Sequence, residues 1–79
     1  MLPKVTHDAE ARALYIRFSD APYAYGEDLD RERRVDYAQD GTPIGVELLC
    51  LESGVDLRDL PHADLIAEIL RQRGVPILV

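Results

Sequence analysis

Arg34-Val35-Asp36-Tyr37-Ala38-Gln39-Asp40-Gly41-Thr42-Pro43-Ile44-Gly45-Val46-Glu47-Leu48-Leu49-Cys50-Leu51 carries two short runs of β-forming residues on either side of Asp40-Gly41. An Asp-Gly pair takes positive φ readily and is a strong hairpin signal, so Arg34-Val35-Asp36-Tyr37 and the run from Ile44 to Leu51 are expected to pair as antiparallel strands. Strict alternation puts Ile44, Val46, Leu48 and Cys50 on one face, predicted to be the core. Leu49 and Leu51 then fall with Glu47 on the other face. The end of this strand is therefore expected to be covered on both sides, although one helix can cover only one face of a sheet.

Toward the N-terminus the same rhythm continues, with turn letters at roughly ten-residue intervals, as in an antiparallel meander. Lys4 to His7 is a short opening strand closed by Asp8-Ala9-Glu10-Ala11-Arg12. Ala13 to Phe18 is a half-buried strand with Leu14, Ile16 and Phe18 on one side and Tyr15 and Arg17 on the other. Ser19-Asp20-Ala21-Pro22 breaks it, and a weaker strand with Tyr23 and Tyr25 leads into the charged loop from Asp28 to Glu32.

Toward the C-terminus the period changes. Residues 61–73 read as a helix, with Asp59 as N-cap, Pro61 in the first turn and Gly74 as the stop. Leu60, Ala63, Ile66, Ala67 and Leu70 form one stripe, which Leu65 and Ile69 widen to an arc of about 220°, more than one sheet contact requires. The apolar tail Val75-Pro76-Ile77-Leu78-Val79 would be an aggregation hazard if left free, so it is expected to dock on its own domain or on a second copy. The predicted fold class is α+β: a single domain, 1–79, with an antiparallel β-meander of four to five strands over residues 4–51 packed against one C-terminal helix.

At 79 residues, such a domain buries only about 60 to 65% of the surface of its unfolded chain and usually needs a further stabiliser. The single cysteine, Cys50, excludes an intrachain disulfide, and no Cys/His spacing suggests structural zinc. A partner subunit is the stabiliser that remains. The net charge of -6, with Arg31, Arg33 and Arg34 interleaved among acids, argues against autonomous nucleic-acid binding and is compatible with a basic protein partner. Met1-Leu2-Pro3-Lys4 lacks the apolar region of a secretory leader, and no apolar run approaches the roughly 18 to 20 residues that span a bilayer. No membrane association and a cytoplasmic location are therefore expected, and a lone thiol fits that compartment.

The text Asp8-Ala9-Glu10-Ala11-Arg12-Ala13-Leu14-Tyr15-Ile16, followed by Val35-Asp36-Tyr37, Asp40-Gly41 and Ile44-Gly45-Val46-Glu47-Leu48, resembles the small bacterial and archaeal domain family DUF2283. Arg12 stands where that family usually has an acidic residue. The resemblance covers roughly Lys4 to Leu51 and implies a small meander-plus-helix domain with no established chemistry. It also implies a second reading, an antitoxin-like partner of a more basic, toxin-like protein.

Several residues could carry chemistry. His7, Asp8 and Glu10 place a histidine and two carboxylates within four residues, a candidate for binding a divalent metal or for acid–base work. The competing reading is a polar turn in which Asp8 accepts from local backbone N–H groups. Further metal ligands would have to come from elsewhere, and His62, the only other histidine, is expected at the surface. Tyr15, Asp36 and Tyr37 are further candidates: Tyr15 and Asp36 alternate away from the predicted core face and could meet across strands as a proton-transfer pair, although such residues are more often ordinary cross-strand contacts on a half-exposed sheet. Asp28, Asp30 and Glu32 lack the spacing of a calcium loop. Cys50 is expected to be buried and inert. No phosphate-binding, dinucleotide or hydrolase motif is present. The sequence therefore points to a non-enzymatic interaction module, homodimeric, with no cofactor. Its expected interface comprises Leu49, Leu51, Leu65, Ile69, Val75, Ile77, Leu78 and Val79.

Overall fold

In the computed structural model, which describes residues 2–78, five strands form one antiparallel sheet: Lys4–Asp8 (β1), Ala13–Arg17 (β2), Tyr25–Asp28 (β3), Arg33–Tyr37 (β4) and Pro43–Leu48 (β5). The Asp40-Gly41 hairpin joins β4 to β5 as expected. Gly41 has φ 86° and its N–H reaches the Ala38 carbonyl at 2.9 Å, while Asp40 Oδ1 accepts from the Thr42 N–H at 2.9 Å. These bonds fix the turn and hence the register, in which Val35 faces Val46 and Arg34 faces Glu47.

The strand order is β1-β2-β5-β4-β3. The sheet is thus a β1–β2 hairpin and a β3–β4–β5 meander, with β5 returning to lie beside β2. The connection from Phe18 to Ala24 crosses the ends of β5 and β4. Arg17 anchors it by donating to the Ser19 and Ala21 carbonyls at 2.7 and 3.0 Å, and its two ends join the neighbouring strands through Phe18 N–H to Ile44 O and Ala24 N–H to Tyr37 O.

One face of the sheet holds the core. Leu14, Ile16, Val35, Val46 and Leu48 are fully buried there together with Ile66 and Leu70 of the helix Ala63–Gln72 (α1). The helix begins two residues later than expected. Asp59 and His62 both adopt left-handed backbone, with φ 66° and 54°, and no side chain caps the first turn. Pro61 lies outside the helix, and Asp59 serves the turn before it rather than the cap. The predicted stop at Gly74 is present: with φ 70° there, Gly74 N–H bonds Arg71 O and Val75 N–H bonds Leu70 O, the paired bonds of a Schellman ending.

Three expectations are corrected where the last strand ends. β5 stops at Leu48, and Cys50 takes left-handed backbone with φ 54°. Alternation ends there, so Cys50 is exposed instead of buried. The following 3₁₀ turn, Leu51–Ser53, swings Leu51 back into the core, away from the face it was expected to share with Leu49. Leu49 itself is half-buried, its N–H bonded to Glu32 O at 2.8 Å.

The surplus arc of the helix is largely used within the domain. Ile69, expected at an outer interface, is buried in the core, and of the widening pair only Leu65 is exposed. The tail also docks internally, by a single parallel bridge between Ile77 and Val55 rather than as a strand of the main sheet: Val55 N–H donates to Pro76 O and Leu78 N–H to Val55 O, each at 2.9 Å. Val75 and Ile77 pack partly against the core, Leu78 stays exposed beside Gly54, and Val79 lies outside the described residues. Among the described residues no helix is long and apolar enough to cross a membrane.

Candidate functional site on the open face of the sheet

Strand pairing sorts the other face into two rows. Lys4, Arg17, Gly45, Asp36 and Gly26 lie side by side across the five strands, and next to them lie Thr6, Tyr15, Glu47, Arg34 and Asp28. Asp36 therefore sits between two glycines, and both neighbouring spaces are filled by side chains leaning in from the adjoining row. The Tyr15 phenol passes over Gly45, where an added Cβ would overlap its hydroxyl, and donates to Asp36 Oδ2 at 2.9 Å. The Arg34 guanidinium folds over Gly26 in the same manner, and its Nε donates to Asp36 Oδ1 at 3.1 Å.

Tyr15 and Asp36 do meet, yet they stand on strands that are not adjacent, since β5 runs between them. Only a residue without a side chain at position 45 lets the phenol span the gap. Arg34 extends the cluster outward, to the Tyr23 hydroxyl at 3.0 Å and to Asp28 at 3.4 Å. Each oxygen of Asp36 thus has a donor, and its side chain is only 15% accessible. Burial, and then the hydrogen bond to Asp36 and its negative charge, push the Tyr15 pKa up to about 12.

The result is an ordered polar surface, in which the Tyr15 phenol is held protonated well above neutrality and Asp36 is paired twice.

The other candidates are dispersed. Asp8 Oδ1 accepts from the backbone N–H groups of Glu10 and Ala11, both at 3.1 Å, so it organises the β1–β2 turn. His7 lies on the helix side of β1, level with Leu14. Among the described residues, no three His, Cys, Asp or Glu side chains gather as metal ligands. His62 is exposed and packs its ring on Phe18, with centroids 4.6 Å apart. Tyr37 faces the helix side and stacks on Tyr25. In the acidic loop, Asp30 accepts from the Glu32 N–H and from Arg33 Nε, both at 2.9 Å, and these bonds lower its pKa.

Sequence reasoning passed over Arg34, Tyr23 and the two glycines. The available signal was an isolated glycine inside each of two strand patterns, a usual mark of close approach by another group.

The family described as "Protein of unknown function (DUF2283)" matches residues 4–50. The chain belongs to the DUF2283 family. The match runs from the first residue of β1 to just beyond the end of β5, so the region shared with DUF2283 contains the whole sheet and every member of the Asp36 cluster, while α1 lies outside it. No curated protein and no solved structure matches this DUF2283 chain.

Proposed function

We propose that this DUF2283 domain is a non-enzymatic interaction module that works as a homodimer. The observation that carries the reading is the open face of the sheet: its polar groups are held in place by one another around Asp36, while α1 lies on the opposite side. Ordered hydrogen-bonding groups at the surface lower the entropy lost when a partner is bound, whereas reactivity would require a group left unpaired or poised near neutral pH. The modest core supports the dimer, because a ten-residue helix on one face of a five-stranded sheet removes little apolar area from water and a second subunit adds to it. With a net charge of -6, a further partner of this module would be basic, as in the antitoxin-like reading, and its setting would be the cytoplasm.

Sedimentation velocity on the full chain, from low to high micromolar concentration, tests the central claim. A reversible dimer is expected. A strict monomer over the whole range overturns the homodimer.

A further inference from the structure

The two edges of the sheet are defended differently. β3 ends in Glu27-Asp28, so pairing it with another β3 would crowd the carboxylates of both copies; an acidic edge of this kind resists pairing. At the opposite edge, β1 reads Lys4-Val5-Thr6-His7-Asp8, with no proline inside, and among the described residues nothing pairs with its outer side.

The direction of its free backbone groups follows from the ladder. Phe18 N–H donates to Ile44 O at 2.7 Å, extending the β2–β5 register, so Leu14, Ile16 and Phe18 bond toward β5. The alternate residues Ala13, Tyr15 and Arg17 therefore bond toward β1, and their partners Asp8, Thr6 and Lys4 bond back. Val5 and His7 are left with N–H and C=O pointing outward.

We propose that two copies join β1 to β1, antiparallel about a two-fold axis through Thr6, into one continuous sheet. The proposal rests on the homodimer reading and assigns its interface. In this register Val5 stands opposite His7 of the second copy and His7 opposite Val5, which uses every outward group as hydrogen-bonded pairs. Lys4 stands opposite Asp8 at both ends, and Thr6 meets Thr6 in the non-hydrogen-bonded position between them. Opposite charges and Thr–Thr contacts are favourable cross-strand pairs.

The neighbouring two-fold registers are worse. Centring on Val5 sets His7 against Pro3, which has no N–H to give, and centring on His7 sets Val5 against Ala9, beyond the end of the strand. Registers shifted by a single residue would oppose outward groups to inward ones. The edge dimer also joins the two open faces side by side, so that the Asp36 clusters of both copies lie on one surface.

The test uses the full chain with Cys50→Ser, so that no native thiol interferes. In a non-hydrogen-bonded pair the Cα atoms are about 4.5 Å apart, within disulfide reach. Thr6→Cys in that background is expected to give an interchain disulfide on mild oxidation, and Lys4→Cys to give little. His7→Pro removes an outward N–H without touching the β2 ladder, so it should yield a monomer with unchanged circular dichroism. Lys4→Glu should raise the dimer dissociation constant about tenfold by turning two attractions into repulsions. A wild-type dimer in which Thr6→Cys does not cross-link overturns the edge pairing and leaves the homodimer standing. A wild-type monomer overturns both.

Discussion

On the helix side of the sheet, Ile16 is wholly buried among Leu14, Val46, Leu48 and Leu70. One residue earlier, Tyr15 points the other way and is held by a hydrogen bond to Asp36 in a half-open polar layer. The covered face is stabilised by apolar area removed from water and by close packing, terms that depend on volume and barely on direction. The open face is stabilised by directed bonds, each worth little net while water stays near, and it depends on two positions remaining glycine. The covered face thus sets how stable the domain is, and the open face sets what it presents.

The contrast can be broken most forcefully at Ile16. Ile16→Ala removes a fully buried side chain, and chemical denaturation should show a loss of about 2–5 kcal/mol, a large share of the stability of a domain this small. Next comes Gly45→Ala on the open face. Its methyl would overlap the Tyr15 hydroxyl and press on the Ile16 carbonyl, so a loss of about 1–3 kcal/mol is expected. The same change should release the phenol from Asp36, and ultraviolet titration should show the Tyr15 pKa falling from about 12 toward the ordinary 10.0.

Tyr15→Phe takes away the hydroxyl alone, and the same denaturation measurement should register about 1 kcal/mol at neutral pH. It should also alter the alkaline limb. In the folded chain the phenol ionises at about 12, but in the unfolded chain at 10.0, so its stabilisation is whole below pH 10 and is lost as pH rises to about 12. Midpoints measured across that window should fall less steeply for Tyr15→Phe than for the native chain. The smallest effect is expected on the outer side of the helix. Leu65 is 37% exposed while its neighbour Ile66 is fully buried, and Leu65→Ala should change stability by no more than about 0.5 kcal/mol.

Much of this architecture was legible in the chain. Asp40-Gly41 located the central hairpin, alternation from Leu14 to Phe18 identified the covered face, and Gly74 marked the helix end. The misreadings cluster where a single left-handed residue interrupts a period. Cys50 redirects the chain so that Leu51 joins the core, and His62 delays the helix past Pro61. Cysteine does not announce positive φ, and histidine, though enriched there, does so too weakly to mark a single position. The cluster was legible in part for a related cause: Tyr15 and Asp36 stood out as polar residues on the same face. Their meeting depends on Gly45 lying in register with Asp36 on the strand between them, and strand order settles that where spacing along the chain does not.

The strand order also carries a consequence in time. The β1–β2 hairpin and the β3–β4–β5 meander consist of neighbours along the chain, and each can close over short loops. The seam between them, Leu14 against Leu48 and Ile16 against Val46, is the long-range step, and it waits until residue 48 has been made. Before then β2 has one open flank, its leucine and isoleucine have no partner strand on that side, and the Tyr15 hydroxyl has no carboxylate within reach. Without β5 the chain holds two separate hairpins, β1–β2 and β3–β4, and the last strand of the sheet to be synthesised is the one that joins them.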